Sequence, residues 1–191
     1  MIDPLARFAE DRARARDRDD GWANLCAVAT VTAAGEPAVR VLVLREIDGR
    51  LGVFVNATSP KTDEFARSAT VAVMTYLPTL TVQYRLQCTL ERMPAETVHA
   101  AWQMRPAVPK RMDWLYAEHR QSSPVADRAA LLDALEAAPL PEPLVAPESA
   151  TGHFLDPVAV ERLDLAGEGG VHDRRQYRYE SQGWVETILV P

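Results

Sequence analysis

The sequence has very few cysteines and no long uninterrupted apolar run. Its two cysteines, Cys26 and Cys88, are too few for a disulfide scaffold, and both lie inside apolar segments, which predicts buried thiols in a reducing compartment. The apolar runs fall short of the ~20 residues that a membrane-spanning helix needs, and Met1 leads into a mixed acidic and basic segment rather than a signal sequence. We therefore expect a cytoplasmic protein that does not insert into a membrane.

Common site motifs and metal-ligand spacings are also missing. The chain has no dinucleotide-binding glycine fingerprint, no P-loop, no nucleophile elbow and no paired-histidine metalloprotease motif. Its four histidines and two cysteines are not spaced as metal ligands, so we expect no metal site. The formal net charge of −6 has the wrong sign for a protein that mainly neutralises a nucleic-acid backbone, so we expect no nucleic-acid partner.

The chain does contain enough apolar sequence for one core. Of its 191 residues, 47% are hydrophobic and 25% are charged, which excludes a disordered or collagen-like chain. The segment from Asp3 to Arg18 carries Leu5, Phe8 and otherwise mostly alanine, arginine and aspartate, so we expect residues 1–20 to form a charged, helical, solvated arm. Residues 21–191 are expected to form a single domain.

Segments typical of β-strands, separated by turn residues, dominate the chain from Asn24 onward. Turn residues at Gly35-Glu36-Pro37 and Asp48-Gly49 separate the first three segments, which predicts an antiparallel meander. The predicted strands are 25–31, 38–44, 51–55, 71–76, 81–91 and a C-terminal hairpin of 177–180 and 184–190, whereas 152–165 fits a strand or a helix equally well.

Short helices are expected between these strands. Ser59 and Pro60 provide an N-cap and a first helical residue for a helix that ends near Ser68. Two further helices are predicted over 94–104 and 123–137, and the proline-rich stretch 138–147 predicts a loop. The pattern as a whole predicts a mainly β fold with inserted helices, a small closed or partly closed antiparallel barrel, because closure removes exposed strand edges.

Three polar residues need a functional or a structural explanation. Arg40 lies inside an apolar strand, where its guanidinium either points to solvent or meets an anion, and Gln83 lies opposite the apolar face of its own strand. Lys61 lies in the first turn of the helix that Ser59 begins, where free N–H groups attract anions, although a lysine also serves simple solubility. The glycine cluster at 167–170 precedes a hairpin and predicts a turn rather than a phosphate cradle.

Short motifs follow one another along the chain from about Asn24 to the C-terminus. They are Arg40-Val41-Leu42-Val43-Leu44-Arg45, Val53-Phe54-Val55-Asn56, Ser59-Pro60-Lys61, Gln83, Gln121-Ser122-Ser123, His172-Asp173-Arg174 and the closing Trp184 to Pro191. Their order resembles that of the pyridoxamine 5′-phosphate oxidases. The resemblance implies an antiparallel split β-barrel that binds FMN and a homodimer with two flavin sites at the subunit interface.

The resemblance also implies a role for individual residues. Arg40 and Lys61 would hold the FMN phosphate, and Gln83 would hydrogen-bond the isoalloxazine ring. Arg45 and Arg105 would bind the substrate's phosphate, and His172 would meet its pyridine ring as the catalytic residue. The flavin's backbone contacts and walls would be Val41, Leu42, Val43, Phe54 and Val55, and the partner subunit would supply Gln121, Ser122 and Arg174.

Five positions depart from the pattern that the resemblance predicts. In the substrate site, Ala101 stands in place of a tyrosine, Pro109 in place of a serine and Gly170 in place of the arginine that meets the ring. In the flavin site, Pro60 replaces a phosphate-binding arginine and Asp164 a tryptophan. The flavin site is therefore largely retained, whereas the pyridoxine site is partly lost.

Two functions remain open from the sequence. The first is an FMN-dependent oxidoreductase that transfers a hydride between a small substrate and the flavin, in the narrow case oxidising pyridoxine or pyridoxamine 5′-phosphate with oxygen as acceptor. The second is a flavin-binding or sensing protein without turnover. A vacant, enclosed pocket favours the enzyme, and a blocked pocket favours the binding protein. A deazaflavin in place of FMN is also compatible with these residues.

The Gly170 position leads to an expectation of its own. Without the arginine, turnover of pyridoxine 5′-phosphate should be slow or absent, and Gly170→Arg should raise kcat/KM for it. The alternative is that Gly170 occupies a turn with positive φ, in which case arginine strains the backbone instead.

Overall fold

The computed structural model describes residues 3–191, so that Met1 and Ile2, the start of the predicted arm, lie outside the described residues. This part of the chain forms nine strands and five helices. The strands are β1 (Leu25–Val31), β2 (Pro37–Val43), β3 (Arg45–Ile47), β4 (Arg50–Asn56), β5 (Thr70–Leu77), β6 (Val82–Arg92), β7 (Ala150–Asp164), β8 (Asp173–Glu180) and β9 (Gly183–Leu189). The helices are α1 (Pro4–Arg16), α2 (Pro60–Arg67), α3 (Ala95–Gln103), α4 (Ala107–Glu118) and α5 (Arg128–Ala137).

All described strands belong to one antiparallel sheet, which forks at β7. The order is β2-β1-β5-β6-β7-β4-β3, and β8 and β9 form a further arm that pairs with β7. The first part of β7 pairs with β4 and its last part with β8, while β6 accompanies it along the other side. This fork divides the barrel into two parts. β7 is 15 residues long because it pairs with β4 and then with β8.

The predicted meander is correct for β1 and β2 and wrong for the strand that follows. β2 pairs with β1 and ends the sheet, whereas β4 lies at the far side between β3 and β7. The reason is the tight turn at Asp48-Gly49, where both residues have positive φ. That turn folds β4 back onto the short strand Arg45–Ile47 instead of onto β2.

The first helix is packed against the sheet, so the prediction of a solvated arm is wrong. Phe8 is 1% exposed and packs on Tyr84 with ring centroids 4.7 Å apart. Asp11 is completely buried, where it accepts hydrogen bonds from the Tyr84 hydroxyl at 2.7 Å and from Arg162 Nε at 3.1 Å. The sequence predicted few buried side chains for α1 because the helix face that packs on the sheet carries charged residues such as Asp11. Partners in the barrel neutralise these charges. The division into residues 1–20 and 21–191 stays a prediction.

The inserted helices differ from expectation at two places. The helix predicted over 123–137 begins only at Arg128, because Asp127 is the residue whose side chain accepts the capping hydrogen bond, from the Ala130 amide at 2.8 Å. Helix α4 was not predicted. Pro106 and Pro109 both lie at its start, where proline is tolerated. The ambiguous segment 152–165 is a strand, and 138–147 is a loop as predicted.

Within residues 3–191, no helix has the combined length and apolar character that crossing a bilayer requires.

The glycine cluster before β8 forms a turn, as predicted. Gly170 has a φ of +78°, and a Cβ placed there would meet nothing within 4 Å. We expect Gly170→Ala to lower the free energy of unfolding by about 1 kcal/mol, since a side chain disfavours the left-handed region. Gly21→Ala is the matched control, because a Cβ there also meets open space but the backbone φ is not positive. Equal urea-unfolding curves for both variants would contradict the expected backbone strain.

Candidate functional site

The start of α2 forms a small cationic site. Ser59 is the N-cap, but its side chain caps no backbone N–H; its Oγ instead accepts a hydrogen bond from Lys61 Nζ at 2.5 Å. Lys61 Nζ also donates to Gln121 Oε1 at 3.2 Å. Burial, and then the nearby charge of Arg40, lower the pKa of Lys61. Two neighbouring cations at the uncapped start of a helix are suited to binding an anion such as phosphate.

Arg40 reaches this site from β2 and forms an ion pair there with Glu64 of α2. Its guanidinium donates to Thr30 Oγ1 at 2.5 Å and pairs with Glu64 Oε2 at 2.7 Å. Burial acts to raise the pKa of Glu64, but hydrogen bonds from Thr30 and Arg40 outweigh it and lower that pKa. Arg40 therefore neither points freely to solvent nor offers its whole guanidinium to an anion, and Lys61 is the less committed of the two cations.

A cavity of about 530 Å³ lies between β2, β3, β4 and α3. The cavity brings together the apolar residues predicted to wall the flavin and the arginines predicted to bind the substrate. Its apolar wall includes Val41, Leu42, Val43, Phe54 and Val55, and its polar lining consists of Arg45, Glu46, Arg105 and Thr151. Ala101, one of the departures from the resemblance, also lines it. A cavity of this size accommodates a ring system with a small substrate against it.

Arg105 is held in place by a buried carboxylate that the sequence did not reveal. Asp113 on α4 is 5% exposed; it forms an ion pair with Arg105 and accepts a hydrogen bond from Trp102 Nε1 at 2.8 Å. Burial raises the pKa of Asp113, while the charge of Arg105 and the Trp102 hydrogen bond act in the opposite direction. The pairing depends on α4, which the sequence did not predict, so the role of Asp113 could not be inferred from the sequence.

The loop that carries Gln121 and Ser122 returns to α2 within the same chain. The Gln121 amide donates to Thr58 Oγ1 at 3.1 Å, and Arg120 binds both the Thr58 carbonyl, at 3.0 Å, and Asp63, at 2.9 Å. Gln121 therefore lies beside Lys61 of its own chain, and the expectation that the partner subunit supplies it stays a prediction. Ser122 follows directly, with a φ of +71°.

Gln83 and Arg174 lie together on another face of the molecule. Both are register partners of Leu163, on β6 and β8 respectively, so the three side chains share one face of the sheet. Arg174 pairs with Glu161 through two contacts of 3.2 Å. His172 is exposed just before β8. Within residues 3–191, the lining of the 530 Å³ cavity includes none of Gln83, His172 and Arg174.

The same face of the sheet carries a second, shallower groove of about 680 Å³. It runs across β2, β1, β5, β6, β7 and β8 and is lined by apolar residues together with Arg85, Glu161 and Arg178. Val39 and Val31, which line it, are 69% and 52% exposed. An apolar sheet face of this kind, rimmed by charged residues, is typical of a protein–protein contact.

Comparison with known proteins agrees with the sequence motifs. The family model for pyridoxamine 5′-phosphate oxidase matches residues 22–138. A pyridoxine/pyridoxamine 5′-phosphate oxidase of Anaeromyxobacter dehalogenans is 31% identical over 99% of this chain and 96% of its own length. The enzyme of that name from Myxococcus xanthus strain DK1622 is also 31% identical, over 99% of this chain and 92% of its own.

Two solved structures share the fold. A pyridoxamine 5′-phosphate oxidase-related, FMN-binding protein of Nostoc punctiforme superposes with a TM-score of 0.82 at 24% identity and covers both chains fully. PhzG of Burkholderia lata, in complex with tetrahydrophenazine-1-carboxylic acid, gives a TM-score of 0.82 at 22% identity over 99% of this chain and 93% of its own. The predicted split barrel is confirmed. By its family model and its relatives, the chain belongs to the pyridoxamine 5′-phosphate oxidase family.

Proposed function

We propose that this protein is an FMN-dependent oxidoreductase that acts on a small anionic substrate. The observation that carries the proposal is the 530 Å³ cavity, whose lining combines an apolar wall from β2 and β4 with Arg45 and Arg105. Arg40, which directly precedes Val41 of that wall on β2, belongs to the cationic site with Lys61. The guanidinium groups of Arg45 and Arg105 in the lining favour the enzyme over a flavin-binding protein without turnover, which would need no cations to hold a substrate.

Two groups of residues fit FMN, one at its phosphate and one at its ring. Lys61, with Arg40 behind it and Gln121 beside it, would hold the phosphate, and Val41 to Val43 with Phe54 and Val55 would flank the ring. When bound, the flavin supplies the hydride chemistry. The protein orients the substrate, excludes water with its apolar wall and neutralises the substrate's charge with arginine.

A homodimer would complete this site. Gln83 and Arg174 lie on the exposed sheet face and His172 lies just before β8, all outside the cavity lining, so a second copy packed on that face would bring them to the flavin of the first. Such a contact is isologous, with each subunit supplying the same surface. The two buried, free cysteines are compatible with the cytoplasmic location, which stays a prediction.

Disrupting this face should separate the subunits and release the flavin. Val39 is 69% exposed on β2, so Val39→Glu should leave the subunit folded but place a charge in the contact. We expect light scattering to show a monomer for this variant and a dimer for wild type, with FMN retained only by the dimer. Val190→Glu, at a site that is 89% exposed outside the groove, is the control. An FMN-loaded monomer in either protein would contradict the proposal.

The substrate is tested by peroxide release. Pyridoxine 5′-phosphate is the first compound to assay, because the curated relatives carry that enzyme's name. Given Ala101, Pro109 and Gly170, we expect turnover of this compound to be slow or absent. The positive φ of Gly170 also argues against recovering activity with Gly170→Arg, since the new side chain would strain the turn. Brisk peroxide release by the unmodified protein would contradict the expected loss of the pyridoxine site.

A further inference from the structure

The charges around the cavity nearly cancel. Arg45 and Arg105 line it together with Glu46, and Asp113 pairs with Arg105 from behind. Arg12, which is 2% exposed, lies behind Glu46 with its Nη1 3.9 Å from the Glu46 carboxylate. Three guanidinium groups and two carboxylates leave a single uncompensated positive charge.

Among the polar side chains that line the cavity, the uncommitted hydrogen-bond donors belong to the two arginines. The hydroxyl of Thr151 donates to the Val55 carbonyl at 3.1 Å and is therefore already used. Arg105 commits part of its guanidinium to Asp113, and Arg45 is exposed at the rim. A phosphate dianion presents three terminal oxygens and two charges, whereas a carboxylate is planar, carries one charge and is satisfied by one guanidinium fork.

On this basis, and resting on the proposed function, we propose that the substrate subsite selects a monoanionic carboxylate over a phosphate dianion, and that Asp113 sets this selectivity by neutralising Arg105. Asp113 acts through Arg105 and is a positioning residue. Its carboxylate fixes both the orientation and the effective charge of the guanidinium, while Trp102 Nε1 donates a hydrogen bond to the same carboxylate oxygen, Oδ2.

The selectivity can be measured with two matched aromatic probes, benzoate and phenyl phosphate. Their dissociation constants at pH 8 would be obtained by calorimetry on the FMN-loaded protein. We expect wild type to bind benzoate at least as tightly as phenyl phosphate. Asp113→Asn keeps an acceptor for Trp102 but removes the charge beside Arg105, so the ratio should move at least tenfold towards phenyl phosphate.

Two further variants keep the test decisive. Trp102→Phe removes one hydrogen bond to Asp113 without changing charge, so the ratio should stay within about twofold. Glu46→Gln removes a half-exposed carboxylate from the rim and should move the ratio in the same direction as Asp113→Asn, even if the buried variant fails to fold.

Three outcomes would overturn the proposal: a wild-type preference for phenyl phosphate, an unchanged ratio in the variants that lose a carboxylate, or binding of neither probe. Calorimetry also gives the ratio with flavin-free protein. A chain that fails to bind FMN but discriminates between the probes would therefore contradict the proposed function and not the assignment of the subsite.

Discussion

Asp11→Ala is expected to lower the free energy of unfolding by about 3 kcal/mol, because it removes one partner of a buried ion pair. Asp11 is completely buried between Tyr84 and Arg162, so its removal leaves the buried Arg162 guanidinium with Asp164, at 3.2 Å, and with the neutral Tyr84 hydroxyl, also at 3.2 Å. Urea unfolding followed by far-UV circular dichroism would measure the loss. Glu10→Ala, an exposed position on the same helix, should change the free energy by less than about 0.5 kcal/mol.

The Asp11 contribution also depends on pH. Burial acts to raise the pKa of Asp11, but hydrogen bonds from Tyr84 and Arg162 outweigh it and lower the pKa. The unfolded chain therefore binds the proton more readily, and the stabilisation is present above the ordinary aspartate pKa of about 4 and is lost as the pH falls further. Wild type should lose stability in acid more steeply than Asp11→Ala. Parallel curves, or a loss below about 1 kcal/mol at neutral pH, would mean that α1 is not anchored through this network.

Lys61→Ala is expected to weaken FMN binding at least tenfold. A hydrogen bond to a charged group contributes about 1.5–3 kcal/mol, which corresponds to roughly ten- to 150-fold in affinity. Lys61 is the suitable position because its contacts to Ser59 and Gln121 are uncharged, so its loss leaves no buried charge behind. Titration of flavin-free protein with FMN, followed by quenching of flavin fluorescence, would give the dissociation constants.

The control for this titration is Arg67→Ala, which removes one positive charge from the exposed end of the same helix. It should leave FMN affinity nearly unchanged. Arg40→Ala alone is a poorer test, because it also leaves the buried Glu64 carboxylate without its partner. Pairing it with Glu64→Gln removes that complication. Equal FMN affinities for wild type and Lys61→Ala would show that Lys61 does not bind the FMN phosphate.

Much of the sheet could be predicted from local sequence, because alternation and turn residues act over a few neighbouring positions. The buried face of β6 and the Asp48-Gly49 turn are examples. Pairing across the sheet could not, since the position of β4 beside β7 depends on contacts about a hundred residues apart in sequence. The packed α1 was missed for a related reason: Asp11 reads as a surface residue until Arg162 is seen beside it.

For the candidate site, too, some features could be predicted from the sequence and others could not. Motif order placed Val41, Phe54, Arg45 and Arg105 in one site, and the structure brings them to one cavity. Motif order could not show that Gln121 lies beside Lys61 of its own chain, since that depends on how the loop after α4 returns to Thr58. It also could not show that Asp113 neutralises Arg105, because the pairing requires the two helices α3 and α4 to pack together.

The central claim is that this chain binds FMN through a phosphate site at the start of α2, and titration of flavin-free wild-type protein with FMN and with riboflavin tests it most directly. The two ligands share the ring and differ in the phosphate. We predict one FMN per chain and an affinity for riboflavin at least a hundredfold lower, as expected from two charged contacts to the phosphate. Equal affinity for both flavins, or no binding of FMN, would contradict the claim.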